Sequence, residues 1–174
     1  TAYEPGSGST IMAYAGICTG QNVQSNSDAF FHQNSLGLMW NNIRFGNSTC
    51  GAQTASGNAT PTAEAGNNFI IPMSTPYMLT GSSTDADGTG SHTFTWEQYD
   101  LGPAGVPTDA TATGPLVRSF EGTTNPTRYI PRISDLLVAP GSTTWEKLAS
   151  SNRDLDFQLT VRDNDARGGQ TATD

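Results

Sequence analysis

Residues Leu155–Val161, with the sequence LDFQLTV, decide the fold of this 174-residue chain. Apolar residues stand at every second position of this stretch, which places one apolar face on a β-strand. Three other short stretches also predict strands: Phe69–Pro72, Tyr77–Thr80 and Thr93–Tyr99. Short alternating runs separated by turn residues predict a mainly β chain with an antiparallel sandwich over residues 61–174.

The central tryptophan of the third strand adds a more specific signal. Trp96 is placed like the buried tryptophan of immunoglobulin-like sandwiches. The sequences PTAEAG, LTGSSTDADG, TWEQ and LTVRDND, which begin at residues 61, 79, 95 and 159, resemble a PKD-type repeat. Such immunoglobulin-like domains are appended to secreted bacterial proteases and collagenases. This chain departs from a minimal repeat by a longer insertion over residues 100–150, which contains Pro126, Pro131 and Pro140.

The first 50 residues have a different pattern. Ser35 is a suitable N-cap for a short helix that ends at Gly46, with an apolar stripe at helical spacing formed by Leu36, Met39, Trp40 and Ile43. His32 precedes this helix and is interpreted as a polar residue at its entrance, because no second ligand stands at metal-binding spacing. Residues 51–60 are small and polar, which predicts a linker between a module at 1–50 and the sandwich at 61–174.

The stretch Ser9–Gly16, with the sequence STIMAYAG, carries the clearest functional signal. It resembles the Met-turn of metzincin zinc proteases, and residues 1–50 resemble the C-terminal subdomain of secreted bacterial reprolysin-like metallopeptidases. The resemblance implies that Met12 forms a floor under the zinc site. Tyr14 matches the M-x-Y pattern of astacins and serralysins, which implies a phenol that donates to the oxyanion. The alternatives are a core methionine and a tyrosine with a buried ring and a solvated hydroxyl.

The zinc-binding motif of metzincins, H-E-x-x-H-x-x-G-x-x-H, is absent from this chain, whose two histidines are His32 and His92. The resemblance therefore implies the C-terminal fragment of a secreted zinc metalloendopeptidase that hydrolyses proteins. In that parent enzyme the zinc ligands would belong to an upstream part of the catalytic domain, which becomes a partner of this chain. The alternative is a non-catalytic extracellular module with a binding, adhesion or structural role.

A second candidate site is the turn Asp85-Ala86-Asp87-Gly88. Alternating carboxylates before a glycine can place hard oxygen ligands around Ca²⁺, so Asp85 and Asp87 are candidate calcium ligands. PKD-like domains of bacterial collagenases bind calcium near this turn. An acidic turn without metal is the alternative, because no Glu closes an EF-hand loop here. Asp163 and Asp165 form a weaker second cluster.

The composition restricts the partners and the compartment. The chain has 16 acidic against 8 basic residues and a net charge of −8, so it lacks the basic face that nucleic acid binding needs. No apolar run reaches the roughly 18 residues that a membrane span requires. Cys18 and Cys50 flank the predicted helix and could form a disulfide, with each other or with upstream cysteines. We expect a secreted or cell-surface protein.

The missing histidine motif leads to a direct prediction. Purified residues 1–174 should show no peptidase activity, with or without added zinc, because no group of residues here can hold the metal in a catalytic geometry. Casein hydrolysis with zinc and with chelator measures this. Zinc-dependent, chelator-sensitive cleavage by this chain would contradict the prediction.

Overall fold

The computed structural model describes residues 1–138 and 143–174. Pro140, the third proline of the predicted insertion, lies outside the described residues. The elements follow one another along the chain as a helix, three strands, a short helix and two strands. They are α1 (Gln33–Phe45), β1 (Tyr77–Thr80), β2 (Thr93–Gln98), β3 (Thr127–Ile130), α2 (Ile133–Val138), β4 (Phe157–Arg162) and β5 (Thr171–Thr173).

The strands form two antiparallel sheets. In the first sheet β1 pairs with β3, with Tyr77 opposite Ile130. In the second sheet β4 lies between β2 and β5. Trp96 of β2 is opposite Leu159 of β4, and Val161 of β4 is opposite Ala172 of β5. The prediction of a mainly β chain with antiparallel strands is confirmed.

Two apolar clusters form the core. The first is built from Trp96, Leu159 and Val161, and the second from Leu116, Val117 and Ile130. Leu79 of β1 and Phe157 of β4 contact both clusters. These two side chains therefore connect the two sheets through a continuous apolar interior.

Polar side chains attach the insertion to this core. Gln98 accepts hydrogen bonds from the backbone N–H groups of Leu116 and Val117, at 2.7 and 3.0 Å. The indole N–H of Trp96 donates to the carbonyl of Pro126 at 2.9 Å. Arg128 donates to the carbonyl oxygens of residues 96 and 118 and forms a 2.8 Å ion pair with Glu146. Buried polar groups that find partners in this way avoid a desolvation penalty of several kcal/mol.

The start of the first helix and one predicted strand differ from the sequence predictions. The helix begins at Gln33 rather than after Ser35, because Nδ1 of His32 accepts the Asn34 N–H and caps it. It ends at the expected Gly46. The predicted strand Phe69–Pro72 is wrong, since these residues are in no strand and Ile70 is fully exposed. A short apolar run does not form a strand where no neighbouring strand pairs with its backbone hydrogen-bonding groups.

Helix α1 presents its apolar residues to solvent. None of its thirteen residues is buried, and Leu38, Trp40, Ile43 and Phe45 are each at least half exposed. In the part of the chain that the structure describes, no helix has the length and apolarity to cross a membrane.

The first 32 residues, which we call the N-terminal segment, lie against residues 61–174, the β region. Ala2 pairs with Gly102 through two backbone hydrogen bonds, and the N–H of Gly6 donates to Gly105. Asn58 of the predicted linker donates to Asp163 at 2.6 Å. The division into modules at 1–50 and 61–174 stays a prediction. Cys18 and Cys50 are not joined to each other.

The two-sheet core predicts a large effect for one substitution. Leu159→Ala should lower the free energy of unfolding by about 2–5 kcal/mol, because it removes a fully buried side chain from the cluster around Trp96. Leu137→Ala is the matched control, since Leu137 is largely exposed and should change stability by less than about 0.5 kcal/mol. Urea denaturation measures both, and equal effects would contradict this account of the core.

Candidate functional site

The turn that contains Met12 is held by a set of buried polar contacts. The carboxylate of Glu4 accepts hydrogen bonds from the backbone N–H groups of Ser9 and Thr10 and from the Thr10 hydroxyl, the last at 2.6 Å. The Ser7 hydroxyl donates to the carbonyl of Ala15, and the Ser7 carbonyl accepts from the Tyr14 N–H. A single carboxylate and one serine therefore fix both ends of the turn.

The two site residues of this turn point away from that framework. Met12 and Tyr14 are each 67% exposed, whereas Ser9 and Thr10 are buried. Ile11 and Ile17 beside them are also exposed. The turn therefore has a fixed backbone and an uncovered apolar surface. The alternative of a core methionine and a buried tyrosine ring does not describe their positions in the described structure.

Close backbone contacts explain the small residues of this turn. Gly6 and Gly8 have φ values of +57° and +67°, in a region that favours glycine. A Cβ atom at Gly8 would lie 2.6 Å from the Ala13 Cβ, and one at Gly16 would lie 2.3 Å from the Ser25 carbonyl oxygen. Larger residues at these two positions would push the turn apart.

The candidate calcium residues Asp85 and Asp87 lie in one turn, and both are already engaged. Asp85 accepts the Asp87 N–H at 2.8 Å, and its other oxygen lies 3.5 Å from Nε2 of His92. Asp87 accepts the Ala59 N–H at 2.7 Å and lies 3.1 Å from a guanidinium nitrogen of Arg167. Each carboxylate thus faces a basic side chain rather than a shared open space.

Arg167 connects this turn to the second acidic cluster. Its guanidinium also pairs with Asp165 at 2.8 Å. The hydrogen bonds from the side chain and the backbone of Arg167 lower the pKa of Asp165 to about 2. The arginine therefore occupies the position between Asp87 and Asp165 that a cation would need.

These contacts test whether the residues suit a metal. Among residues 1–138 and 143–174, no three His, Cys, Asp or Glu side chains are grouped as a metal site would need. Calcium could use Asp87 only if Arg167 moved away, so the arrangement described here does not fit the ion. The two histidines, His32 and His92, are buried and face Glu97 and Asp85.

Sequence reasoning did not anticipate the surroundings of His92. Its Nδ1 lies 2.8 Å from the Ser83 hydroxyl, and its Nε2 faces Asp85. The order Ser, His, Asp resembles a hydrolase relay, but the serine contacts Nδ1 rather than Nε2. Both His92 and the Asp85 carboxylate are buried. We interpret the three residues as a polar contact that fixes the turn.

Sequence reasoning also missed the contact between His32 and Glu97. Glu97 is buried on β2, and its Oε1 lies 3.9 Å from Nε2 of His32. A glutamate inside an alternating strand was the available signal, because a charged residue on a covered strand needs a partner. The sequence did not identify that partner.

No model of a known protein family matches this chain, and no match is found among curated proteins or solved structures. The metzincin and PKD resemblances therefore rest on the residues quoted above.

The calcium hypothesis makes a prediction that depends on Arg167. If Ca²⁺ binds the folded turn, the melting temperature of the chain should rise with calcium concentration. Arg167→Gln should enlarge that rise because it removes the competing cation, and Asp87→Asn should abolish it. Asp154→Asn, a change at an exposed aspartate elsewhere, is the control. Identical melting curves in millimolar calcium and in chelator would contradict the hypothesis.

Proposed function

We propose that this chain is the C-terminal part of a secreted zinc-dependent metalloendopeptidase of the metzincin type that hydrolyses protein substrates. The observation that carries the proposal is the turn at residues 9–16. Its backbone is fixed by Glu4 and Ser7, while Met12 and Tyr14 are exposed on its surface. Exposed methionine and tyrosine side chains on a turn with a fixed backbone suit a site that another part of the protein completes.

The missing part would be the upstream half of the catalytic domain. The exposed apolar side chains of α1, among them Trp40 and Phe45, form a second surface that such a partner would cover. Zinc, held there by upstream histidines, would supply the Lewis acid for peptide hydrolysis. In this chain Met12 would pack under that site. Tyr14 would donate a hydrogen bond from its hydroxyl to the oxyanion.

We also propose that the β region is a PKD-type immunoglobulin-like sandwich. Support comes from the two antiparallel sheets, from the contacts of Leu79 and Phe157 with both core clusters, and from the buried Trp96 on β2. In immunoglobulin-like folds a buried tryptophan likewise packs in the core of the sandwich. Secretion is part of the proposal, and the acidic composition and the protease resemblance support it.

A non-catalytic binding or adhesion module is the second candidate. It is favoured by an exposed apolar strip that precedes β1, in which Phe69, Ile70 and Met73 are more than half exposed. Apolar patches of this kind on a surface often mark an interaction site. The two candidates differ in whether the complete protein cleaves peptide bonds in a chelator-sensitive way.

The proposed role of Tyr14 predicts a kinetic change in the parent enzyme. Tyr14→Phe should lower kcat by about tenfold to a hundredfold and leave KM nearly unchanged, because the lost donor acts mainly in the transition state. Steady-state hydrolysis of a peptide substrate measures both constants.

Tyr129→Phe is the matched control, because Tyr129 is also an exposed tyrosine and lies on β3. It should leave kcat unchanged. An unchanged kcat in Tyr14→Phe would contradict the catalytic role of the hydroxyl. The absence of chelator-sensitive cleavage by the wild-type parent would instead favour the binding module.

A further inference from the structure

One buried carboxylate lies between the β region and the start of α1. Glu97 of β2 has no exposed surface, and its Oε2 accepts the backbone N–H of Gln33 at 2.8 Å. Its Oε1 lies 3.9 Å from Nε2 of His32. Neither of these two atoms has a hydrogen-bond partner among the described residues. Glu97 therefore faces the end of the N-terminal segment with half of its carboxylate unsatisfied.

His32 is equally enclosed. Its Nδ1 accepts the Asn34 N–H at 3.1 Å, which caps α1 and leaves Nε2 directed at Glu97. Its ring stacks with those of Tyr3 and Tyr99, at centroid distances of 5.7 and 6.0 Å. Tyr3 belongs to the N-terminal segment and Tyr99 follows β2, so the ring cluster joins the two parts of the chain.

The backbone next to His32 leads directly to the turn with Met12. The carbonyl of Phe30 accepts the Ile11 N–H at 3.0 Å, and the N–H of Asp28 donates to the Ser9 carbonyl at 2.7 Å. Residues 28–33 thus lie between the β region and the turn. A shift of His32 and Gln33 would be transmitted to Ile11, the neighbour of Met12.

The β region contacts residues 28–33 at two further points. Arg162 of β4 donates to the Phe31 carbonyl at 3.0 Å, and Arg118 pairs with Asp28 at 3.5 Å. Both contacts use an arginine, whose guanidinium stays protonated over the physiological pH range. Glu97 contacts the same stretch through Gln33, and its carboxyl can gain or lose a proton.

The environment of Glu97 determines the direction of that change. Burial raises the pKa of Glu97, and Glu4 of the N-terminal segment acts in the same direction. His32 at the α1 cap, the Gln33 N–H and Arg162 of β4 oppose the rise without cancelling it. A carboxyl whose pKa is raised by folding stabilises the folded arrangement at low pH. That stabilisation is lost as the pH rises through the raised pKa.

We propose that Glu97 is a positioning residue that acts through His32 and Gln33 to hold residues 28–33, and with them the turn that carries Met12 and Tyr14. The contact of Glu97 with His32 and Gln33 weakens when this carboxyl loses its proton, because a negative charge is then buried while one of its oxygens has no hydrogen-bond partner. The β region thereby becomes part of the support of the turn rather than an appended domain. The positioning role of Glu97 does not depend on the proposed function, but its consequence for catalysis does.

Hydrogen exchange of residues 1–174 tests the positioning role of Glu97 directly. Protection factors, corrected for the intrinsic exchange rate at each pH, are measured between about pH 4 and pH 9 for peptides from residues 7–33 and from β4. In the wild type, protection of residues 7–33 should fall as the pH rises through the raised pKa of Glu97. Protection of β4 should fall by no more than that of residues 7–33, because β4 exchanges through global unfolding, which also exposes Glu97.

Two variants of the contact separate ionisation from packing. Glu97→Gln keeps an acceptor for the Gln33 N–H and cannot ionise, so protection of residues 7–33 should become independent of pH. His32→Asn keeps a side-chain oxygen that can cap α1 and removes the imidazole, so the fall in protection should move to higher pH. Glu121→Gln, at an exposed glutamate, should behave as the wild type.

A wild type without a fall in protection, or a Glu97→Gln variant that keeps the wild-type fall, would overturn the proposal. In the parent enzyme, we expect kcat to decrease at alkaline pH, and Glu97→Gln should flatten that decrease with little change in KM. If hydrogen exchange behaves as expected and the parent lacks peptidase activity, the result contradicts the proposed function and supports the positioning role of Glu97. If the parent is active and hydrogen exchange in Glu97→Gln follows the wild type, the result contradicts the positioning role of Glu97 and supports the proposed function.

Discussion

Strand β2 is covered on both of its faces, and this constraint organises the rest of the molecule. Neighbouring side chains of a strand point in opposite directions, so Trp96 and Gln98 share one face while Glu97 points to the other. Trp96 belongs to the apolar core, Gln98 binds the backbone of the insertion, and Glu97 binds the N-terminal segment. Because a buried polar group needs a partner, each of these residues specifies what must lie next to the strand.

The sequence predicted the elements whose pattern is local. The strands β1, β2 and β4 and the helix that ends at Gly46 follow from alternation, helical spacing and a glycine cap. Strands β3 and β5 and helix α2 were not predicted. Arg128 connects strand β3 to the rest of the chain through hydrogen bonds to Glu146 and to a carbonyl group, both distant from it in sequence. Contacts of that kind leave no periodic signal in one short stretch.

The candidate site was predictable to a similar extent. The sequence identified Met12 and Tyr14, and the structure places them together on one turn, but their exposure depends on the contacts of Glu4 and Ser7. Asp85 and Asp87 do share a turn, as expected. Their pairing with His92 and Arg167 joins residues far apart in the chain, and spacing alone does not reveal it.

The arginines of this chain have an effect on its electric field. Arg128 and Arg153 direct their guanidinium groups inward to carbonyl oxygens and to Glu146 and Asp100. With much of the positive charge engaged inside and a net charge of −8, the outer surface is more uniformly negative than the composition suggests. A field of one sign repels further copies of the chain and draws cationic molecules toward it, and both effects weaken within a Debye length of about 8 Å at physiological salt.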